Sequence, residues 1–145
     1  MSGPPREKHK LVADVCLLAR DAVLLVRYRD VSKYDGQHGW FLPDDFLADG
    51  EHPLRAARRI LAEQIGVREV RPMLGFVESF ANGDWHLIFH TRLELASRPA
   101  VTPSDALVDA RWFPLDALPP DDAMAHDGWA RQVIERHRGT STADD

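Results

Sequence analysis

The stretch "GEHPLRAARRILAEQIGV", residues 50–67, has the features of a helix with two defined ends. Pro53 can occupy the first helical position because no N–H is needed there, and Gly66 follows the last turn as a stop signal. A rotation of 100° per residue places four apolar side chains on one arc. These are Leu54, Ala57, Leu61 and Ile65. The sequence therefore predicts a helix over residues 53–65 that packs this arc against a core.

Composition limits the class of protein and its partners. The chain has 145 residues, of which 44% are hydrophobic and 28% charged, as expected of one globular domain. The net charge of −5 argues against a duplex nucleic-acid partner, which would favour a basic surface. The single cysteine, Cys16, lies in an apolar run and predicts a buried thiol rather than a disulfide. With no apolar run of membrane-spanning length, we expect a cytoplasmic protein that does not contact the membrane.

Periodicity and turn residues divide the rest of the chain mainly into strands. "KLVADVCLLARDAVLLVRYRD" predicts a hairpin that turns at Arg20 and Asp21, and "WFLPDDF" predicts a short strand stopped by Pro43. Three later strands are predicted within "VREVRPMLGFVESFA", "DWHLIFHTRLEL" and "DARWFPL", and a second helix over residues 122–137. We expect one domain over residues 11–138, with flexible tails at 1–10 and 139–145.

One predicted strand carries two different faces. In "WHLIFH", Trp85, Leu87 and Phe89 alternate with His86, Ile88 and His90. The first set is wholly apolar, whereas the second is mixed. We therefore expect the mixed face to line a cleft.

The predicted helix and its flanks resemble the Nudix family, relatives of the MutT-type pyrophosphohydrolases. The family motif is G-x5-E-x7-R-E-U-x-E-E-x-G-U, where U is a bulky aliphatic residue. Aligned on Gly66, the chain matches at Glu51, Arg59, Leu61, Glu63, Gly66 and Val67. It departs at Asp45, Ile60 and Gln64. "WFLPDDF" and "DARWFPLDALPP" resemble further family segments, so the resemblance covers residues 11–120.

The resemblance implies an α+β fold in which a mixed β-sheet lies between α-helices. It also implies hydrolysis of a phosphoanhydride in a nucleoside-diphosphate-linked substrate, with Mg²⁺ or Mn²⁺ held by glutamates of the motif. Mg²⁺ takes oxygen ligands and needs few carboxylates once phosphates and water complete its shell. The alternative is a catalytically silent domain that binds a nucleotide or a protein. A third possibility is a homodimer whose main role is structural.

The departures from the motif raise the question of where a metal would bind. Positions 60, 63 and 64 are neighbours on a helix, but only Glu63 is acidic. Two carboxylates, Asp44 and Asp45, stand instead in the preceding turn. One hypothesis is a metal site rebuilt from Glu63, Asp44 and Asp45. In the other, Glu63 is a surface residue paired with Arg59, and the two aspartates only form a turn.

Other candidate site residues follow from the resemblance or from residue type. Glu51 is expected to orient Arg59, so that Glu63, Arg59 and Glu51 form the catalytic set. Arg27 and Arg29 could bind a diphosphate, Trp40 could stack on a base, and His86 and His90 could line the cleft. Surface charge and core packing are the alternatives for these five residues. A later acid could assist the motif, and Glu78, Asp105 and Asp109 are equal candidates.

Overall fold

The computed structural model describes residues 9–143, including all side chains there except those of residues 33, 82 and 140–143. Within this range the strands are β1 (His9–Ala19), β2 (Ala22–Tyr28), β3 (Asp44–Phe46), β4 (Met73–Asn82), β5 (Asp84–Leu95) and β6 (Leu107–Pro114). The helices are α1 (Pro53–Ile65) and α2 (Trp129–Ala143), and three short 3-10 turns lie between elements. In the described range, no helix is long and apolar enough to cross a membrane.

The strands form one mixed sheet with β1 near its centre. The order is β4-β5-β1-β2-β6, and β3 pairs with the first half of β1. β1 and β5 are parallel along their whole lengths, whereas the other pairs are antiparallel. Long apolar runs suit a central strand that is covered on both faces. The predicted α+β class, with the sheet between helices, is confirmed.

Helix α1 has the predicted bounds, and its ends have the expected chemistry. The side chain of His52 accepts a hydrogen bond from the Leu54 N–H, and Gly66 adopts a left-handed conformation with φ of 70°. Three residues of the predicted arc are buried and Leu54 is half-buried, while the buried arc extends further to Ala56, Ile60 and Gln64. This arc packs on one face of the sheet, in a core with Ala13, Val15, Leu17, Leu24 and Val26.

Helix α2 covers part of the opposite face, in a second core that contains Cys16, Leu18, Val23 and Leu25. Burial raises the pKa of the Cys16 thiol, which agrees with the predicted structural role. The predicted start of α2 at residue 122 is wrong, since the helix begins at Trp129. His126, Asp127 and Gly128 have φ values of 51°, 54° and 92°, and left-handed residues cannot continue a right-handed helix.

Three predicted boundaries differ from the structure. The strand expected to stop at Pro43 instead begins after it, because Pro43 offers only its carbonyl, which accepts from the Val15 N–H. β1 begins at His9, inside the predicted tail, while residues 1–8 lie outside the described range. α2 continues to Ala143, past the predicted end of the domain at residue 138.

Candidate functional site

Arg59 is the centre of a charged network at the start of α1. Its guanidinium donates to both carboxylate oxygens of Glu51 at 2.9 and 3.0 Å, to Asp45 Oδ2 at 2.9 Å and to the Phe46 carbonyl at 2.9 Å. Hydrogen bonds from Arg59 lower the pKa of Glu51, which also accepts from the Ala48 N–H. Arg59 thus joins α1 to the turn at β3 and to the loop before the helix.

Glu63 and Asp45 both face this arginine. Glu63 Oε1 lies 3.6 Å from Arg59 Nη1, and the Glu63 side chain is 60% exposed. The other oxygen of Asp45 accepts from the Phe46 N–H at 2.8 Å. Both carboxylates are therefore placed beside the same cation, which also pairs with Glu51.

Gln64 occupies the position where the family motif has a glutamate. It is buried, and its Nε2 donates to the Asp44 carbonyl at 2.8 Å. Its Oε1 accepts from the Tyr28 hydroxyl at 2.8 Å, and that hydroxyl accepts from the Asp44 N–H at 2.9 Å. Burial raises the pKa of Tyr28, which keeps this donor protonated. The amide of Gln64 thereby ties α1 to the β3 turn without a cation.

The residues present do not fit a metal ion held by the motif. Ile60 is buried in the core, and Gln64 presents an amide donor to the Asp44 carbonyl, where a cation would need an acceptor. Asp45 is hydrogen-bonded to Arg59 through one oxygen and to a backbone N–H through the other. Across residues 9–143, no three His, Cys, Asp or Glu side chains are arranged to hold a metal. Asp45 and Glu63, two of the three carboxylates predicted as ligands, instead face Arg59 Nη1, and the metal role of the set stays a prediction.

A cleft of about 460 Å³ lies on the α2 side of the sheet, next to the β3 turn. Lys10 and Val12 of β1, His86 and Ile88 of β5, and Phe80 of β4 form its floor. Its remaining walls come from Asp35, Gln37, Asp44, Phe46, His126 and Trp129. His86 and Ile88 of the mixed face of β5 therefore line the cleft, whereas His90 is fully buried beside it and its role in substrate binding stays a prediction. This face is also the more buried one, since Trp85 on the other face is 45% exposed.

The rim of the cleft is held by a contact between two loops. Gln37 Oε1 accepts from the His126 N–H at 2.9 Å, and His126 Nε2 lies 3.6 Å from Asp35 Oδ2. Asp35, His126 and Asp127 all have positive φ values, of 58°, 51° and 54°. Non-glycine residues in this conformation are strained, and such strain is concentrated at binding sites.

Beside the cleft, a hydrogen-bonded chain of charged residues crosses the sheet. His90 Nδ1 lies 2.8 Å from Asp14 Oδ2, and His90 Nε2 lies 2.8 Å from Glu78 Oε1. Although burial acts to lower it, the hydrogen bonds and charges of Asp14 and Glu78 raise the pKa of His90. Burial raises the pKa of Asp14. Both ring nitrogens face carboxylates, which favours the imidazolium form with two N–H donors.

Several predicted residues do not line the cleft. Arg27 lies 5.0 Å above the ring of Trp40, which is buried against Phe113. Arg29 donates to the carbonyls of Asp105 and Leu107. These side chains therefore pack and brace the β2–β6 region away from this cleft, and their roles in substrate binding stay predictions.

The three candidate later acids lie in different parts of the structure. Asp109 pairs with Arg111 at 3.0 Å, and Asp105 is an exposed loop residue. Glu78 is the one of the three that lies on the cleft face, because it is opposite Ile88 in the β4–β5 register.

Sequence reasoning missed Lys10, Asp14, His126 and Trp129. For Asp14 there was a signal, since an acid in the apolar run "LVADVCLLA" needs a buried partner.

Comparison with known proteins places this geometry in a family. The NUDIX domain matches residues 8–136. A MutT NUDIX hydrolase from Burkholderia pseudomallei superposes with a TM-score of 0.71 at 22% identity, over 90% of this chain and 98% of that one. The NUDIX domain of Shewanella oneidensis NrtR, complexed with ADP ribose, has a TM-score of 0.73 at 20% identity, over 92% and 89%.

A third similar structure is the Escherichia coli dihydroneopterin triphosphate pyrophosphohydrolase, with a TM-score of 0.68 at 16% identity, over 88% of this chain and 95% of that one. No curated protein matches the chain. The structural likenesses show the fold, and the domain match covers the sheet, α1 and the start of α2. The chain therefore belongs to the NUDIX domain family.

Proposed function

We propose that this protein is a Nudix-type hydrolase that binds a nucleotide-type small molecule in the cleft and cleaves its phosphoanhydride bond. The observation that carries the proposal is the cleft itself, whose lining combines three aromatic rings with Lys10, two histidines and two aspartates. The NUDIX match and the MutT-type hydrolase neighbours support pyrophosphohydrolase activity.

The chemistry of the cleft suits a nucleotide. Its volume of about 460 Å³ is in the range of small-molecule sites. Phe46, Phe80 and Trp129 offer rings to a base, and Phe80 stacks on His86 with centroids 4.6 Å apart. Lys10 adds a positive charge beside His86, which it faces in the β1–β5 register. A ligand with a flat ring and an anionic group would contact both the aromatic side chains and Lys10.

Nudix hydrolases generally need a divalent metal, and Mg²⁺ or Mn²⁺ is the expected ion here. The side chains at the motif positions do not fit such an ion. The residues present therefore support binding and orientation of the substrate more directly than metal chemistry. An ion at Asp45 and Glu63 would have to displace Arg59. The motif therefore favours a second candidate function, a nucleotide-binding module without turnover, on the observation that Gln64 and Ile60 replace acids.

One set of measurements separates the two functions. Calorimetry would measure nucleotide binding in chelator, and phosphate release would be assayed with Mg²⁺, Mn²⁺ or chelator. We expect His86→Ala to weaken binding, and His38→Ala, in an exposed loop outside the cleft, to leave it unchanged. Metal-dependent turnover lost in Glu63→Gln would support the hydrolase with an ion at the motif.

Nucleotide binding in chelator, with no turnover on any substrate, would instead support the binding module. A wild-type protein that binds no nucleotide and releases no phosphate would contradict both functions. Equal binding by wild type and His86→Ala would show that the ligand occupies another surface.

A further inference from the structure

Glu78 is held in one orientation by groups that the proposed hydrolysis does not use. His90, which contacts Glu78 Oε1 at 2.8 Å, is completely buried, and so is Asp14, which contacts the other ring nitrogen. The imidazole packs against Phe76 with centroids 4.5 Å apart and against Trp129 at 5.5 Å. Because the ring is held by two carboxylates and two aromatic neighbours, it fixes the position of the Glu78 carboxylate.

This carboxylate lies on the cleft face of the sheet, beside the residues that line the cleft. Glu78 lies between Phe76 and Phe80 on β4, and its direct cross-strand partner Ile88 lines the cleft. Whereas His90 and Asp14 are completely buried, the Glu78 side chain is 34% exposed. One oxygen contacts His90, so the carboxylate can offer the other to a bound molecule. A carboxylate with a fixed orientation accepts strong, directional hydrogen bonds.

The one lysine of the floor stands a step away along the strands. Lys10 faces His86, which faces Phe80, and Phe80 is two residues from Glu78. Two residues along a strand span about 7 Å. This face of the sheet thus has a cationic level at Lys10, which also pairs with Asp84 Oδ2 at 3.4 Å, and an anionic level at Glu78. A phosphate is favoured at the first level and repelled at the second.

We propose that Glu78 is a specificity-determining residue, which accepts a hydrogen bond from an N–H or O–H group of the nucleotide while the phosphates lie toward Lys10. His90 and Asp14 act through Glu78 as positioning residues. The inference rests on the proposed nucleotide binding and adds the polarity of the bound ligand. The donor is an amino group of the base or a hydroxyl of the ribose, since both present the same chemistry to a carboxylate.

Matched ligand pairs test the proposal by calorimetry in chelator. IDP lacks the base amino group of GDP, and purine riboside diphosphate lacks the base amino group of ADP. ADP against deoxy-ADP removes a ribose hydroxyl. With wild type, we expect loss of the recognised donor to weaken binding roughly ten- to a hundredfold, as for a hydrogen bond to a charged group. The pair that responds identifies the source of the donor.

The same pairs are then measured with Glu78→Gln and Glu78→Leu. The leucine variant should bind both members of the responsive pair equally, and glutamine should show a reduced difference because its acceptor is neutral. Glu135→Gln, an exposed residue of α2, is the matched control and should behave as wild type. Asp14→Asn should reduce the discrimination while Glu78 is still present.

The two proposals fail in different ways. Wild type that binds no nucleotide at all would contradict the proposed function, and the specificity role with it. Wild type that binds nucleotides but treats both members of every pair alike would overturn only the role of Glu78. So would discrimination that persists unchanged in Glu78→Leu, provided that its thermal unfolding shows a folded protein.

Discussion

At the scale of single residues, Gln64 decides what the family motif can do in this chain. A carboxylate at this position would point an acceptor at the Asp44 carbonyl, and two acceptors repel unless a cation lies between them. The amide removes that conflict, because Nε2 donates to the carbonyl at 2.8 Å. Gln64 thus supplies a direct bond where an acid would require an ion.

Gln64→Glu tests this interpretation. In chelator, we expect the free energy of unfolding to fall by about 2 kcal/mol, because a buried carbonyl loses its donor and a charge is desolvated. Mg²⁺ or Mn²⁺ should restore part of the loss in the variant and leave wild type unaffected, as measured by thermal unfolding. Gln132→Glu makes the same chemical change at an exposed position of α2 and should have little effect. A variant as stable as wild type in chelator would contradict the role of the amide.

At the scale of elements, α1 is defined by its ends. Gly66 donates to the Ala62 carbonyl and lies in the left-handed region, and His52 Nδ1 accepts from the Leu54 N–H at 3.0 Å. The first turn contains no acidic residue. The positive end of the helix macrodipole is therefore balanced only by a neutral acceptor, although a negative charge would interact more favourably.

His52→Asp should stabilise the protein by about 0.5 to 1 kcal/mol, since aspartate is a better cap and adds a favourable charge. Urea denaturation measures the change. His38→Asp adds the same charge in an exposed loop away from a helix end and should leave the free energy of unfolding nearly unchanged. Equal effects of the two substitutions would mean that net charge, rather than capping, is responsible.

At the scale of the whole molecule, α2 seals the sheet with a buried histidine. His137 is 1% exposed, and neither ring nitrogen has a hydrogen-bond partner among the described residues. Burial, together with the charges of His90, Arg92 and Arg136, lowers the pKa of His137 to about 4. The ring lies against Gly75, where a Cβ atom would be 2.4 Å from it. The docked position of α2 therefore requires a neutral imidazole.

This requirement makes stability depend on pH. A histidine with a lowered folded-state pKa stabilises the fold fully above its ordinary value of 6.5, and the contribution is lost as pH falls toward 4. At about 1.4 kcal/mol per pKa unit, the loss is on the order of 3 kcal/mol at pH 4.

His137→Phe should make the free energy of unfolding fall less steeply between pH 6.5 and 4, whatever its effect at neutral pH. Urea titrations across this range give the slope. His90 has a raised pKa, so its contribution to stability is instead lost as pH rises. This contribution is the same in wild type and in His137→Phe and does not affect the comparison. His38→Phe removes an exposed histidine as a control. Parallel slopes for wild type and His137→Phe would refute the assignment.

The edge of the sheet offers a surface for a second copy of the chain. Among the described residues no strand pairs with the outer side of β4, where Met73, Leu74 and Val77 are 67%, 48% and 41% exposed. Unpaired strand edges with apolar side chains favour strand addition. A homodimer stays a prediction, and this edge is the interface that we expect it to use.

We expect sedimentation to show a dimer for wild type and a monomer for Leu74→Lys, because a charge on the edge opposes pairing. Val108→Lys changes an exposed apolar residue of β6, at the other edge, and should remain dimeric. A monomeric wild type at high protein concentration would contradict the interface.

The residues of the site differ in how far sequence reasoning could reach them. Glu51 and Arg59 lie eight residues apart within the family motif, and the family resemblance implied their contact. The cleft face of β5 followed from a period of two. Lys10 and His126 could not be placed in the cleft, because their positions depend on which strands pair and on where α2 docks.

The sequence by itself determined the elements whose causes are local, namely α1 with its proline and glycine ends and the turn at Arg20 and Asp21. Tertiary structure alone decided the partners of the buried polar groups. Gln64 meets Asp44 across 20 residues, and His90 meets Asp14 across 76. Such contacts depend on strand register and on the parallel pairing of β1 with β5, because a shift of one residue would turn His90 away from the cleft side.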